Sequence, residues 1–453
     1  MGVQNPNSTS YVHPDEPNIL NLHKAMEYNA LGQPILRTVA SGGASGLDAF
    51  GRLRVSQIYT LGDYSHVYGE EAELLTKTSG VGAGTTPLPD QAAIQLNIGT
   101  GATDYVIHQS RMYHHYMPGK SQLSFSSFAF GAPRANTYKR MGLFDDNNGI
   151  LFQQSGDGTY QLVFRSFVTG SAVDVATQRS NWNVDPLDGT GFSGVNLDFT
   201  KSQLFYVDYQ WLGVGRVRVG FVHDGAVIVA HEYYHSNNLS TVYWSNPSLP
   251  VRCELRNYGV AVGTASMSQM CATVMSEGGY IESGVDFSAD SGKILLVKGD
   301  PGAYKCVMAV RLKNSYFSRP NRSIVRLTGF DMFSDSASCQ WELWRLPNNA
   351  SISGGAWVDA GTSSVVEYNV TTGTGFSTTG GERVDSGWVS ANNPSGKQAS
   401  GQSGSANPTS SKRGYISQNI DSNDSNIFAL IMRDLSTTAD TNVYSSIQWR
   451  ETR

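Results

Sequence analysis

The segment His231-Glu232-Tyr233-Tyr234-His235 matches H-E-x-x-H, the pattern in which two histidines one helical turn apart hold zinc and the glutamate activates water. That chemistry needs a helix. Here the motif runs on from Ala226-Val-Ile-Val-Ala230, which reads as a strand. In a strand, residues four apart are separated by about 13 Å, too far to share a metal with bonds of ~2.0–2.1 Å. Glu232 would also face away from both histidines. His114 and His115 are adjacent, so in extended chain they diverge and read as structural or interfacial. Carboxylates gather at turns, at Asp145, Asp146, Asp157, Asp185, Asp188 and Asp224, where Asp normally caps its own turn. Asp145-Asp-Asn-Asn-Gly149 has calcium-loop flavour but lacks the downstream bidentate Glu. A glycosidase would need two carboxylates roughly 5–9.5 Å apart, and the spacing singles out no such pair. P-loop, G-x-S-x-G and dinucleotide fingerprints are missing; Gly213-Val-Gly215 lacks the third glycine and the opening helix. Cys253, Cys271, Cys306 and Cys339 stand singly and are expected to be buried free thiols. The expectation is a protein with no catalytic residues, no metal and no cofactor.

Aromatic residues are the other chemical resource, with 22 Tyr, 18 Phe and 8 Trp. Trp182, Tyr233, Tyr234 and Trp244 fall in or beside expected loops, as do Tyr113 and Tyr116. Exposed rings near Asn and Asp could stack on sugars, which makes the first four the candidates for a glycan contact. Packing in a core or a subunit interface is the stronger reading.

The elements that must position these groups are strands. Lys and Arg number 33, Asp and Glu 38, and Gly 48 among 453 residues. Charge at 16% is below the usual ~25%, and Gly is above its usual ~7%, as suits a turn-rich β protein. The net charge of -5 disfavours nucleic acid as a partner. No apolar run is long enough to span a membrane, and the first residues lack the pattern of a signal peptide.

Three parts are expected: an N-terminal arm (1–58), a β-sandwich (59–290) and a second β-sandwich (291–453) with a long polar loop (390–411). The arm permits either a short helix ending before Gly32 or two hairpin-like units, Asn29–Thr38 and Asp48–Val55. Gly69–Thr76 suits a helical turn, and Gly80–Pro89 a loop. From about Ala92 the chain alternates with period two. Phe205, Val207, Tyr209 and Trp211 share one face; Val217, Val219 and Phe221 share another, opposite Arg216 and Arg218. In the second unit, strands are expected at Ile294–Val297, Cys306–Leu312, Ser323–Leu327, Gln340–Trp344, Ile427–Met432 and Ser445–Trp449.

Two segments, Asp48-Ala-Phe-Gly-Arg-Leu-Arg-Val-Ser56 and Leu212-Gly-Val-Gly-Arg-Val-Arg-Val-Gly-Phe221, resemble virion structural proteins of tailed bacteriophages. The likeness covers residues 30–260, and the sandwich region is similar to a concanavalin-like jelly roll. The resemblance implies a virion component made in the host bacterial cytoplasm and present in many copies. It would attach to other virion proteins through its arm, with Phe50, Arg52, Leu53, Arg54 and Val55 as assembly residues, and form a homo-oligomer through its β domains. No catalytic residue is carried over. The alternatives are a tail-associated receptor or carbohydrate-binding protein contacting a host surface glycan, a capsid decoration protein and, last, a polysaccharide hydrolase.

Overall fold

The computed structural model describes residues 57–281, 283–298, 303–391 and 415–453, together with the backbone of three short strands, Met26–Tyr28, Pro34–Leu36 and Ala399–Ser400. Among the described residues there is no α-helix. Met26–Tyr28 and Pro34–Leu36 pair antiparallel, so the hairpin reading of this stretch holds over the helical one. The assembly residues Phe50, Arg52, Leu53, Arg54 and Val55, the second hairpin-like unit and nearly all of the 390–411 loop lie outside the described residues.

Two antiparallel sheets face each other in the first sandwich. One has seven strands in the order Val173–Gln178, Tyr160–Ser166, Gly149–Gln154, Thr137–Phe144, Val251–Asn257, Tyr105–Ser110 and Leu75–Ser79. The other has Ala226–Tyr233, Val217–His223, Ser202–Tyr209, Ser121–Ala129, Ala265–Glu277, Ala93–Ile98 and Ala83–Leu88 in that order. Its eighth strand, Ile58–Tyr64, pairs with the far half of Ala265–Glu277. First and last strands of the sandwich are therefore neighbours, and Gly279 N–H donates to the Gln57 carbonyl beside them.

Alternation drives the packing. Phe205, Val207 and Tyr209, with Val217, Val219 and Phe221, join one inter-sheet core with Phe128, Phe130, Phe152 and Phe199. Within 204–235 the pleated reading holds for Ser202–Tyr209, Val217–His223 and Ala226–Tyr233, whereas Trp211 falls in the connection between the first two strands rather than on the strand face expected of it. The turn at His223-Asp224-Gly225 uses positive φ at Asp224 (50°) and Gly225 (78°), the left-handed pair that tight hairpins require. Between neighbouring strands of the seven-stranded sheet, Gly142 leaves no room for a side chain: a Cβ there would lie 2.3 Å from the Ile150 carbonyl oxygen.

The helical turn expected in Gly69–Thr76 is present, closed by Leu75 N–H on the Glu71 carbonyl, before the chain extends again. Two readings are corrected. Ala83–Leu88 is an edge strand, not loop, because Ala93–Ile98 supplies its ladder. The second sandwich begins before 291, since Val285–Asp290 pairs with Thr441–Thr452.

That second sandwich also has two six-stranded sheets. One is built on Thr441–Thr452 and Ile324–Ser334, with Val285–Asp290 and Ile294–Leu296 added to the former. Its partner runs Val358–Asp359, Val366–Asn369, Lys305–Leu312, Ile427–Asp434, Cys339–Leu346 and Glu382–Val389. Val307, Val310, Leu430, Met432, Ile447 and Trp449 fill the space between. The two sandwiches touch through Arg345 and Glu73, 3.0 Å apart, and through the Arg322 guanidinium 4.7 Å above the Tyr113 ring.

Candidate functional site

The H-E-x-x-H segment is structural. His231 and Glu232 lie in the strand Ala226–Tyr233, opposite Val219 and Arg218 respectively, so they face opposite sides of the sheet. Asn183 N–H donates to His231 Nδ1 at 3.0 Å, and His235 Nδ1 donates to the Gly215 carbonyl at 2.8 Å. Burial lowers the His231 pKa to about 4, outweighing the opposing charge of Glu232. Glu232 pairs with Arg216 at 3.4 Å and accepts from the Tyr234 hydroxyl. Among the described residues no group of three His, Cys, Asp or Glu could hold a metal ion. His114 is fully buried, its Nδ1 donating to the Leu249 carbonyl and its Nε2 2.9 Å from the Tyr64 hydroxyl.

The turn carboxylates cap turns. Asp145 Oδ1 accepts from the backbone of Asn147 and Asn148, and Asp185 from Leu187 and Ser193. Asp157 and Asp188 do the same for Thr159 and Thr190.

The glycan candidates need correction. Trp182 is 5% exposed, packed against Phe221 and Phe199, and Trp244 is fully buried with its ring stacked on Phe164. Tyr233 packs its ring on Phe164 at 4.9 Å. A stacking platform must show a ring face, and these three spend theirs on the core, because irregular connections turn apolar rings inward where strands leave the end of a sandwich open. Tyr234 alone of the four is exposed. The cysteine expectation holds for Cys253, Cys306 and Cys339, whereas Cys271 is exposed.

What the fold does assemble lies on the outer face of the seven-stranded sheet. Along Val251–Asn257, the side chains of Val251, Cys253 and Leu255 enter the core, so Arg252, Glu254 and Arg256 project outward. Neighbouring strands add Arg140, directly opposite Glu254, and Arg165, directly opposite Asp174. Glu254 Oε1 accepts from Arg140 at 3.2 Å and Arg256 at 3.0 Å, while Oε2 accepts from Arg252 at 2.7 Å. Arg252 also reaches Asp146 at 2.7 Å, and Arg165 grips Asp174 with Nε and Nη2. Burial alone would raise the Glu254 carboxyl; Arg252, Arg140 and Arg256 outweigh it and hold the group ionised far below the usual carboxylate range. Phe144 lies beneath, with the Arg252 guanidinium 5.1 Å from its ring centre.

These residues line a pocket of about 260 Å³. Asp146 is shared with a larger cleft, about 510 Å³, that opens between the sandwiches and is lined by Asn147, Asn246, Arg319, Arg322 and Asp421 among others. Sequence reasoning missed the network. Its one legible signal was Arg252-x-Glu254-x-Arg256, charges at period two against an apolar face.

The class defined by this architecture is a mainly β protein of two antiparallel sandwiches, the first carrying an arginine-rich pocket on one outer face. No protein-family model and no curated protein matches the chain. Among solved structures, a glycosyl hydrolase family protein from Mycobacterium fortuitum is 11% identical, with 48% of this chain and 99% of that one covered at TM-score 0.34. A protein of unknown function from Shewanella oneidensis MR-1 is 9% identical over 53% of this chain and 94% of its own, at 0.32. Peanut lectin is 10% identical over 49% and 98%, at 0.29. These likenesses assign no substrate and no activity to this chain.

Proposed function

We propose that the chain is a non-enzymatic structural component of a tailed-phage virion, anchored through its N-terminal arm and self-associating through its β domains. The observation that carries this reading is, on each sandwich, an edge strand that pairs with no further strand among the described residues and shows apolar side chains. Val173–Gln178 ends the seven-stranded sheet with Val175 59% exposed, and Glu382–Val389 ends its sheet with Trp388 71% exposed. A free strand edge offers a ladder of backbone donors and acceptors to a neighbour, and soluble monomers normally blunt such edges with charge or proline. Here Val173, Val175, Val384 and Trp388 are exposed beside Asp174, Glu382 and Arg383, whose charges pair with Arg165, Arg345 and Glu342 of the adjacent strands, and an edge neutralised in this way suits repeated addition of copies. The segment Asp48–Ser56 supports attachment through the arm by its resemblance to virion proteins.

The test is assembly. Deleting residues 1–56 should leave a folded protein that no longer enters particles, and Val175→Lys should lower self-association in sedimentation. Normal incorporation of the truncated chain, read by mass spectrometry of purified particles, would overturn the reading.

A further inference from the structure

The arginine pocket on the seven-stranded sheet carries more charge than its architecture consumes. Four guanidiniums, of Arg140, Arg165, Arg252 and Arg256, meet three carboxylates, of Asp146, Asp174 and Glu254, so the lining keeps one positive charge in excess. Arg252 is 1% exposed, and its Nε donor is buried without a hydrogen-bond partner. A buried unpaired donor on a charged group is costly, so Arg252 is left under-satisfied by its two carboxylates, Asp146 on Nη1 and Glu254 on Nη2. Asp146, which holds the other side of Arg252, sits on a turn with its side chain 62% exposed. It can swing out and surrender its place to another carboxylate.

The surroundings narrow the class of ligand. At about 260 Å³ the pocket is smaller than the ~300–1,000 Å³ that takes a whole drug-sized molecule, so it suits one charged unit of something longer. The larger cleft begins on the other side of Asp146, giving the remainder of a chain-like ligand somewhere to lie. Asn147 and Asn246 line that cleft with amides, groups that pair with hydroxyls, while Asn148 and Ser245 beside them bond to each other. The guanidinium fork matches a planar carboxylate.

We propose that this pocket binds the carboxylate of an acidic sugar residue in a polysaccharide, with Arg252 at its floor and Arg256 at its rim. The ligand carboxylate replaces Asp146 on Arg252, and neighbouring sugars run along the cleft between the sandwiches. The inference does not depend on the virion reading, since it concerns the purified chain and a soluble ligand.

Calorimetric titration of the full chain with a galacturonic acid trimer tests it, beside the methyl-esterified trimer and sodium sulfate. Expected are binding of the acid trimer, at least tenfold weaker binding of the ester, and weakening as salt rises. Arg256→Gln should lower affinity about tenfold, and Asp146→Asn should raise it several-fold by removing the resident competitor. Both replaced side chains are substantially exposed, so both variants should fold. Equal binding of acid and ester would overturn the proposal, as would sulfate binding as well as the trimer, which marks a simple inorganic-anion site. No heat with the acid trimer at millimolar concentration, or an Asp146→Asn variant that binds no better, would also sink it.

Discussion

All nine histidines of the chain precede residue 236, and seven of them belong to the first sandwich, while the second has none. The first sandwich buries titratable groups: His66, His108 and His114 inside, Asp208 with Arg218, and Glu254 among its arginines. In the second, the most buried carboxylate combines neutral donors with one arginine: Glu451 accepts from the Ser364 hydroxyl, the Val365 backbone and Trp449 Nε1, and from Arg453 at 2.6 Å. Equivalent architectures thus carry different electrostatic liabilities, and solution conditions can separate them.

Acid should separate them most. Burial pushes His66, His114 and His231 down to about 4, His66 also by the neighbouring His108. Unfolded, each binds its proton near 6.5. Between pH 6.5 and 4 the unfolded chain therefore holds more protons, and stability falls as pH falls through that window. Each group forfeits up to about 3 kcal/mol. In the second sandwich the depressed carboxyl of Asp335, held at about 2 by Asn442, starts to lose stability only below the ordinary range for Asp. Hydrogen exchange at pH 4.5 should show strands of 58–277 opening while those of 285–453 stay protected. Simultaneous opening would erase the distinction.

Charge removal should be nearly as large. Asp208→Asn removes the carboxylate that Arg218 grips in the interior and should cost about 3–5 kcal/mol. Trp449→Ala should cost a comparable ~3–5 kcal/mol through the cavity it leaves. In calorimetry each variant should shift only the transition of its own sandwich. Gly142→Ala drives a methyl into the backbone of Gly149–Gln154 and should cost about 1–3 kcal/mol. At the small end, Arg450→Ala breaks an exposed pair with Asp286 and should change stability by at most about 1 kcal/mol.

Alternation made the strands legible. All six strands expected in the second unit appear, because runs such as Cys306–Leu312 and Ile427–Met432 are bounded by polar turns and too apolar for anything but a central position. Ala83–Leu88 was not legible: Gly84 and Pro87 read as loop, and only pairing with Ala93–Ile98 makes the segment a strand. The outward side of Arg218 was foreseen, but not its burial, since Asp208 comes from a different strand. For the same reason the arginine pocket escaped notice: Arg140, Arg165 and Glu254 are brought together by strand order, which no local pattern encodes. Trp182 and Trp244 misled because position in a connection says nothing about which way a ring turns.

The adjacency of Gln57 and Gly279 has a mechanical consequence. Tension applied between the residues preceding 57 and the strands following 284 would enter and leave the first sandwich at one point. It would peel Ile58–Tyr64 from Ala265–Glu277 one rung at a time, beginning at the Ile58–Glu277 pair. The remaining strands would bear none of the initial load, so this sandwich hangs beside the line of force like a pendant on a chain and yields first along its own seam.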